Sequence, residues 1–319
     1  MAAEWYEFSK KVLAGGVAVS FLTFLAVVFI PFLGAVILIM APLPVLYYSL
    51  KYGRKEGLIV FIASLSAVAV ILKVTGSMAA LPMLFTAGCM GMILSEVLKK
   101  SYSVETTILL PVIALLTIWS AFIFYESTVS GVNPRAIIGS SIEHNIQESI
   151  EFYGGLDVPE ETINVIRDNI KQISGFFLNI FPAIALIIAA FAVWINVLSA
   201  RELFQKRALW YPDFGDLSAW KAPEKLVWLF IAGGGTLLVP IEWVRFAGIN
   251  FLIVCLFVYL LQGISIVSFF FRQKRIPRFF RAMFYFLIFA QQYFTILIVI
   301  AGLFDLWIDF RKYIKPVTD

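Results

Sequence analysis

Charge, histidine and cysteine are all scarce in this sequence, and each shortage closes off a class of function. Only 14% of its 319 residues are Asp, Glu, Lys or Arg, where soluble domains carry about 25%. The single histidine, His144, rules out histidine metal clusters and most nucleophile–histidine pairs. It sits between Glu143 and Glu148 on an acidic amphipathic stretch, which reads as a solvated face. The two cysteines, Cys89 and Cys255, lie inside apolar runs. A disulfide framework needs more of them in an extracellular setting, so both read as small packing residues. Gly233, Gly234 and Gly235 are not followed by Lys-Ser/Thr, so they form no phosphate loop; they mark a flexible point or a close helix contact. No long basic tract suggests nucleic acid. The residues imply no catalysis, no cofactor and no metal.

What the chain has instead is apolar surface. Hydrophobic residues make up 61% of it, with 31 Phe, 12 Tyr and 8 Trp, and the mean hydropathy is +0.90. This predicts an all-α, polytopic integral membrane bundle of about eight to nine hydrophobic helices, since lipid leaves backbone groups no outside partner. Apolar runs fall at Val12–Ile30, Phe32–Leu50, Leu58–Leu72, Ala79–Leu98, Thr106–Tyr125, Gly175–Ala200, Leu226–Val239, Phe246–Phe271 and Ala282–Leu303. Most approach the ~20 residues of a spanning helix, and the third and seventh are short. Lys10 and Lys11 before the first run resemble a secretory signal, but the hydrophobic sequence continues through Pro31 without a cleavage site. An uncleaved first span is expected. Basic residues at Lys51/Arg54/Lys55, Lys99/Lys100, Arg201/Lys206/Arg207 and Arg272–Arg281 alternate with acidic or uncharged connections. That alternation predicts a cytoplasmic N-terminus. Nine spans would put the C-terminus outside, whereas Arg311, Lys312 and Lys315 favour the inside. Gln291–Gln292, midway in the last run, marks a candidate break or re-entrant turn.

The connection 127–174 is the longest that does not span. Ile138, Ile142, Ile146 and Ile150 form one helical stripe, and Ile163, Ile166, Ile170 and Ile173 form another. Two amphipathic helices on the outer surface follow, the second beginning near Asp157 and running into a sixth span kinked at Pro182. The aromatic stretch 207–228, with Trp210, Trp220 and Trp228, reads as a cytoplasmic interfacial loop. Polar residues at membrane depth are few: Lys73, Trp119, Glu126, Asn179 and Asn196 are the candidate lining of an outward-facing pocket, with Lys73 otherwise able to snorkel. Ala14 and Ala18, and Ala87 and Gly91, make small-residue faces for close helix docking. Asp305 and Asp309 lie one turn apart with Arg311 close behind. They read either as a salt-bridge anchor to the Arg272–Arg281 cluster or as a proton or cation site.

Two patterns resemble known families. The Ala14-x-x-x-Ala18 helix, the Pro-Leu-Pro second helix, the Gly-Arg-Lys-Glu-Gly turn, and Gly88-x-x-Gly91 leading to Lys99–Lys100 resemble the substrate-binding S components of energy-coupling factor transporters. The Trp-Lys-Ala-Pro-Glu-Lys-Leu-Val-Trp stretch and the terminal Gly-Leu-Phe-Asp-Leu-Trp-Ile-Asp-Phe-Arg-Lys look like the YybS-like family of bacterial membrane proteins (domain of unknown function 2232). The first resemblance implies a six-helix ligand-binding domain over residues 12–201, including the outer insertion 127–174. It also implies that Ala14 and Ala18 dock a transmembrane coupling subunit. Residues 202–319 then form an interfacial loop and a two- to three-helix membrane extension. A small-molecule transporter or substrate-binding membrane subunit is one expected function. A non-catalytic scaffold for envelope or division proteins is the other, because the interior holds so few polar groups.

Overall fold

The computed structural model describes residues 2–30, 33–155 and 159–314, and of residues 2–10 only the backbone. Pro31, Asp157, Lys315 and the side chain of Lys10 therefore lie outside what is described. Thirteen α-helices run through the described residues, which contain no strand. They are α1 (Ala2–Phe29), α2 (Leu33–Met40), α3 (Pro42–Tyr52), α4 (Arg54–Thr75), α5 (Leu81–Lys99), α6 (Val104–Ser130), α7 (Pro134–Gly154), α8 (Glu160–Asp168), α9 (Ile170–Lys206), α10 (Leu226–Thr236), α11 (Glu242–Gln273), α12 (Arg278–Ala290) and α13 (Gln292–Ile308). Seven helical stretches are long and apolar enough to cross a membrane, α2 and α3 counting as one, and the bent pair α12–α13 would make eight. The protein is an all-α polytopic membrane bundle.

The chain divides into two compact units. The first holds residues 1–129 and 188–214, and the second holds 130–187 and 215–319. Residues 130–174 thus group with the C-terminal part, and α9 is divided between the two units after residue 187.

In the first unit, small residues let helices approach closely. A Cβ on Gly91 of α5 would lie 2.6 Å from the Pro42 carbonyl oxygen of α3. One on Gly88 would enter the Phe61 ring of α4. Ala87 is buried beside them, in a core with Phe24, Val27, Ala41, Val68, Leu72 and Leu84. Ala87 and Gly91 thus lie where α5 packs closely on its neighbours. Ala14 and Ala18 are exposed, and α1 turns Gly16 to Tyr48 and Val60. The buried hydroxyls of Ser49 and Ser95 bond each other at 2.6 Å between α3 and α5. Pro42 interrupts the helix at Ala41, and the Asn196 amide nitrogen of α9 reaches the neighbouring Ile39 carbonyl at 2.6 Å. Broken backbone inside a bundle needs such partners.

The second unit corrects one expectation, the seventh span, and bears out another, the break at Gln291–Gln292. The seventh apolar run forms α10, only eleven residues long and too short to be a full span. The ninth run is broken at Gln291, and α12 and α13 meet there at 100°. Pro182 lies inside α9, which is a single helix of 37 residues. The Asn250 carboxamide of α11 accepts from the Ala183 N–H at 2.9 Å and donates to the Asn179 carbonyl at 2.7 Å. These are the two backbone groups that flank the proline, and the inserted amide satisfies both.

Helix α10 and the extended segment before it run antiparallel to α11. Asp216 meets Arg272, the Ala222 N–H meets Gln262, Phe230 meets Tyr259 and Thr236 meets Gly248. Helix α13 crosses α11 with backbone against backbone. A Cβ on Gly302 would lie 2.0 Å from the Tyr259 carbonyl oxygen, and one on Gly263 would lie 2.1 Å from that of Ile298.

Candidate functional site

Two places in the second unit concentrate chemistry. The first is a cavity of about 590 Å³ beneath the two amphipathic helices. Helix α7 supplies Ile142, Ile146, Ile150 and Tyr153, α8 supplies Ile163 and Ile166, and α9 supplies Phe177, Phe181 and Ile184. Both isoleucine stripes read from the sequence thus contribute to one apolar chamber. Helix α7 is held along α9 by Arg135 donating to the Asn179 side-chain oxygen at 2.9 Å and by Ser174 donating to Glu143 at 3.1 Å. Asn145 and Ser149 are the polar lining residues, and each donates to the backbone of its own helix. The chamber therefore offers shape and apolar contact with little hydrogen bonding. Its volume is that of an ordinary small-molecule site. A more open, polar hollow of about 480 Å³ lies along the first half of α7, beside Asn133, Arg135, Ser140 and Glu143.

The second place is a buried polar clasp where the segment 216–222, α11 and the end of α13 meet. The Asp305 carboxylate is buried and accepts from Arg311 at 2.6 Å, from Gln262 at 3.0 Å and from the Phe310 N–H at 2.9 Å. Arg311 also donates to the Trp220 carbonyl at 2.9 Å, the Ser218 carbonyl at 3.2 Å and the Ser265 hydroxyl at 2.5 Å. Gln262 takes the Ala222 N–H through its oxygen at 3.2 Å. A buried charge pair is tolerable when its remaining donors and acceptors are filled, as they are here.

Around the rim, Asp309 pairs with Lys221 at 3.0 Å and Lys312 at 3.3 Å. The Lys221 bond, with help from Lys312, holds the Asp309 carboxyl below its ordinary range despite slight desolvation. At Asp216, desolvation pushes upward, but the Ser218 hydroxyl and N–H and the Arg272 guanidinium outweigh it and lower the pKa. The expectation that both C-terminal aspartates pair with Arg272–Arg281 is therefore corrected. Arg272 takes Asp216, and Arg281 caps the end of α11 by donating to the Phe271 and Ile276 carbonyls. A cation suits those carbonyls because a helix C-terminus is electronegative.

The five residues read as a pocket lining do not line either cavity. Lys73 and Glu126 are exposed, and Trp119 is half-buried. Asn179 holds Arg135 and Asn250, and Asn196 seals the break at Ala41. Sequence reasoning missed Gln262, Ser265 and Lys221. The first two lie five and eight residues after Phe257 in a largely apolar run, and polar residues at that depth were the available signal.

Helices of this length and apolarity, a break at membrane depth and buried polar groups paired among themselves define a multi-pass membrane protein. The family described as predicted membrane protein (DUF2232) matches residues 18–306, and the chain belongs to it. It is 21% identical over 321 residues to a Bacillus subtilis (strain 168) protein described as uncharacterized protein YybS, covering 96% of this chain and 99% of that one. No solved structure matches the chain.

Proposed function

We propose that this protein is a substrate-binding membrane subunit of transport type that takes an apolar or amphiphilic small molecule at its outer face. The observation that carries this reading is the 590 Å³ chamber built by both isoleucine stripes against α9. A pair of helices that only covered the surface would close against it. Helix α9, at about 55 Å, exceeds the ~30 Å of hydrocarbon by a wide margin. With its basic end at Arg201–Lys206 at the inner boundary, Phe181 falls near the outer one, so the chamber opens where membrane and water meet. The same orientation puts the N-terminus in the cytoplasm of a bacterial inner membrane. It leaves exposed Ala14 and Ala18 free to dock a transmembrane coupling subunit.

Narrowing the chamber tests this. Ile146→Trp and Ile163→Trp should deplete small molecules that co-purify with the native chain, as seen by mass spectrometry, by about tenfold. An unchanged set of co-purifying molecules with the same helix content would overturn the reading. A scaffold for envelope or division proteins is the second reading. It is favoured by the clasp, which fixes the backbone of the tryptophan-rich segment while Trp210 and Trp228 stand exposed. Co-purified envelope proteins without a bound small molecule would support it.

A further inference from the structure

The first unit carries a cluster of hydrogen-bond donors whose protein acceptors are tyrosine oxygens, at the end of α3 and just past α9. Tyr47 is nearly buried, and its phenolic oxygen accepts from Lys51 at 3.1 Å and from Arg207 at 2.7 Å. Both cations also lie over aromatic rings, Arg207 at 5.0 Å and Lys51 at 5.4 Å from the Tyr47 centroid, and Lys51 at 4.8 Å from that of Tyr52. Their positions are fixed from behind. Phe204 packs on both Tyr47 and Tyr211, and the Tyr211 hydroxyl donates back to the Val197 carbonyl.

Two positive charges that share one neutral acceptor repel each other, and a carboxylate would ordinarily lie between them. Among the residues whose side chains are described, no carboxylate forms an ion pair with either. Glu202 is paired with Lys206 at 2.7 Å, and the Glu56 carboxylate sits over Gly53. The remaining N–H groups of Lys51 and Arg207 and the O–H of Tyr47 are all donors. The ligand complementary to such a set is an anion that only accepts. Phosphate oxygens meet that requirement, and arginine with lysine is a standard pair for holding them. Basic pockets between spanning helices serve anionic lipid headgroups in this way.

We propose that Lys51, Arg207 and the Tyr47 hydroxyl form a binding site for a phosphate-bearing anion, either free or as a lipid headgroup. The site stands apart from the outer chamber and does not depend on the reading of that chamber.

The test uses the full chain in a neutral detergent. Native mass spectrometry compares retention of phosphatidylglycerol with that of phosphatidylcholine of the same chains, and phosphorus NMR follows broadening of inorganic phosphate. The expected result is preferential retention of phosphatidylglycerol, lowered about tenfold or more in K51M/R207M and severalfold in Tyr47→Phe. R54M/K55M removes as much charge from the adjacent exposed turn and should change retention less than twofold. Broadening of inorganic phosphate that K51M/R207M abolishes would show that the free anion suffices. Lipid retention without broadening would assign the site to headgroups. The proposal is overturned if the two lipids are retained equally and phosphate is not broadened. It is also overturned if R54M/K55M lowers retention as much as K51M/R207M, which would mean a diffuse field and not a site.

Discussion

At the scale of single residues, the interior polar groups of the second unit are spent on holding backbone. Arg311 joins three oxygens of the segment 218–220 and of Ser265 to the carboxylate of Asp305, so each end of the clasp depends on the other. Removing one member leaves a buried, uncompensated charge, which costs about 3–5 kcal/mol. Asp305→Ala and Arg311→Ala should each lower the thermal midpoint in detergent by that equivalent, and the double variant should lose clearly less than their sum. Additive losses would mean that the pair is not coupled. Asp305 was legible in the sequence as a charge at membrane depth. Its partner was not, because spacing along a helix names the face a side chain shares but not the element that folds onto it.

At the scale of helices, small residues decide which surfaces meet. The Ala87/Gly91 face was legible, since a repeat every fourth residue is a packing stripe wherever it falls on a spanning helix. The contact of α11 with α13 was not, because it rests on single glycines, Gly263 and Gly302, whose importance appears only when two backbones cross at them. Gly302→Val should therefore separate α13 from α11 and cost about 1–3 kcal/mol or more. Gly235→Ala is the matched control, because an added Cβ there meets nothing within 4 Å. It should be neutral or slightly stabilising, as alanine is favoured over glycine inside helices. Equal melting temperatures for both variants would contradict the close crossing.

At the scale of the whole molecule, the side of the C-terminus follows from the clasp. Arg272, just before α12, and Arg311, just after α13, hold the same short segment, at Asp216 and at Ser218–Trp220. A hairpin whose two ends grip five consecutive residues returns to the side from which it set out. We expect the bent pair α12–α13 to be re-entrant, with Arg311 and Lys312 on the same side as residues 216–222. That removes the conflict between nine apolar runs and a basic C-terminus. In a chain with Cys89 and Cys255 replaced by alanine, Glu224→Cys and Lys312→Cys should respond alike to an impermeant thiol reagent applied to intact cells. Glu161→Cys, in the outer insertion, should respond in the opposite way. Different behaviour of the first two would overturn the hairpin.

The sequence by itself determined the solvent, the helical class, the two isoleucine stripes and the break at Gln291–Gln292. Each of these depends on composition or on a period within one element, and lipid enforces it locally by denying backbone groups any outside partner. Only the tertiary structure decided that the stripes face each other around a chamber, that Asn196 and Asn250 repair the interrupted helices, and that Asp305 turns to Arg311. The two asparagine contacts join residues 67 and 157 positions apart, Ala183 with Asn250 and Ile39 with Asn196. Hydrophobicity is spread almost evenly over the faces of the long spanning helices, so it does not by itself select a neighbour there, and shape together with a few hydrogen bonds makes the choice.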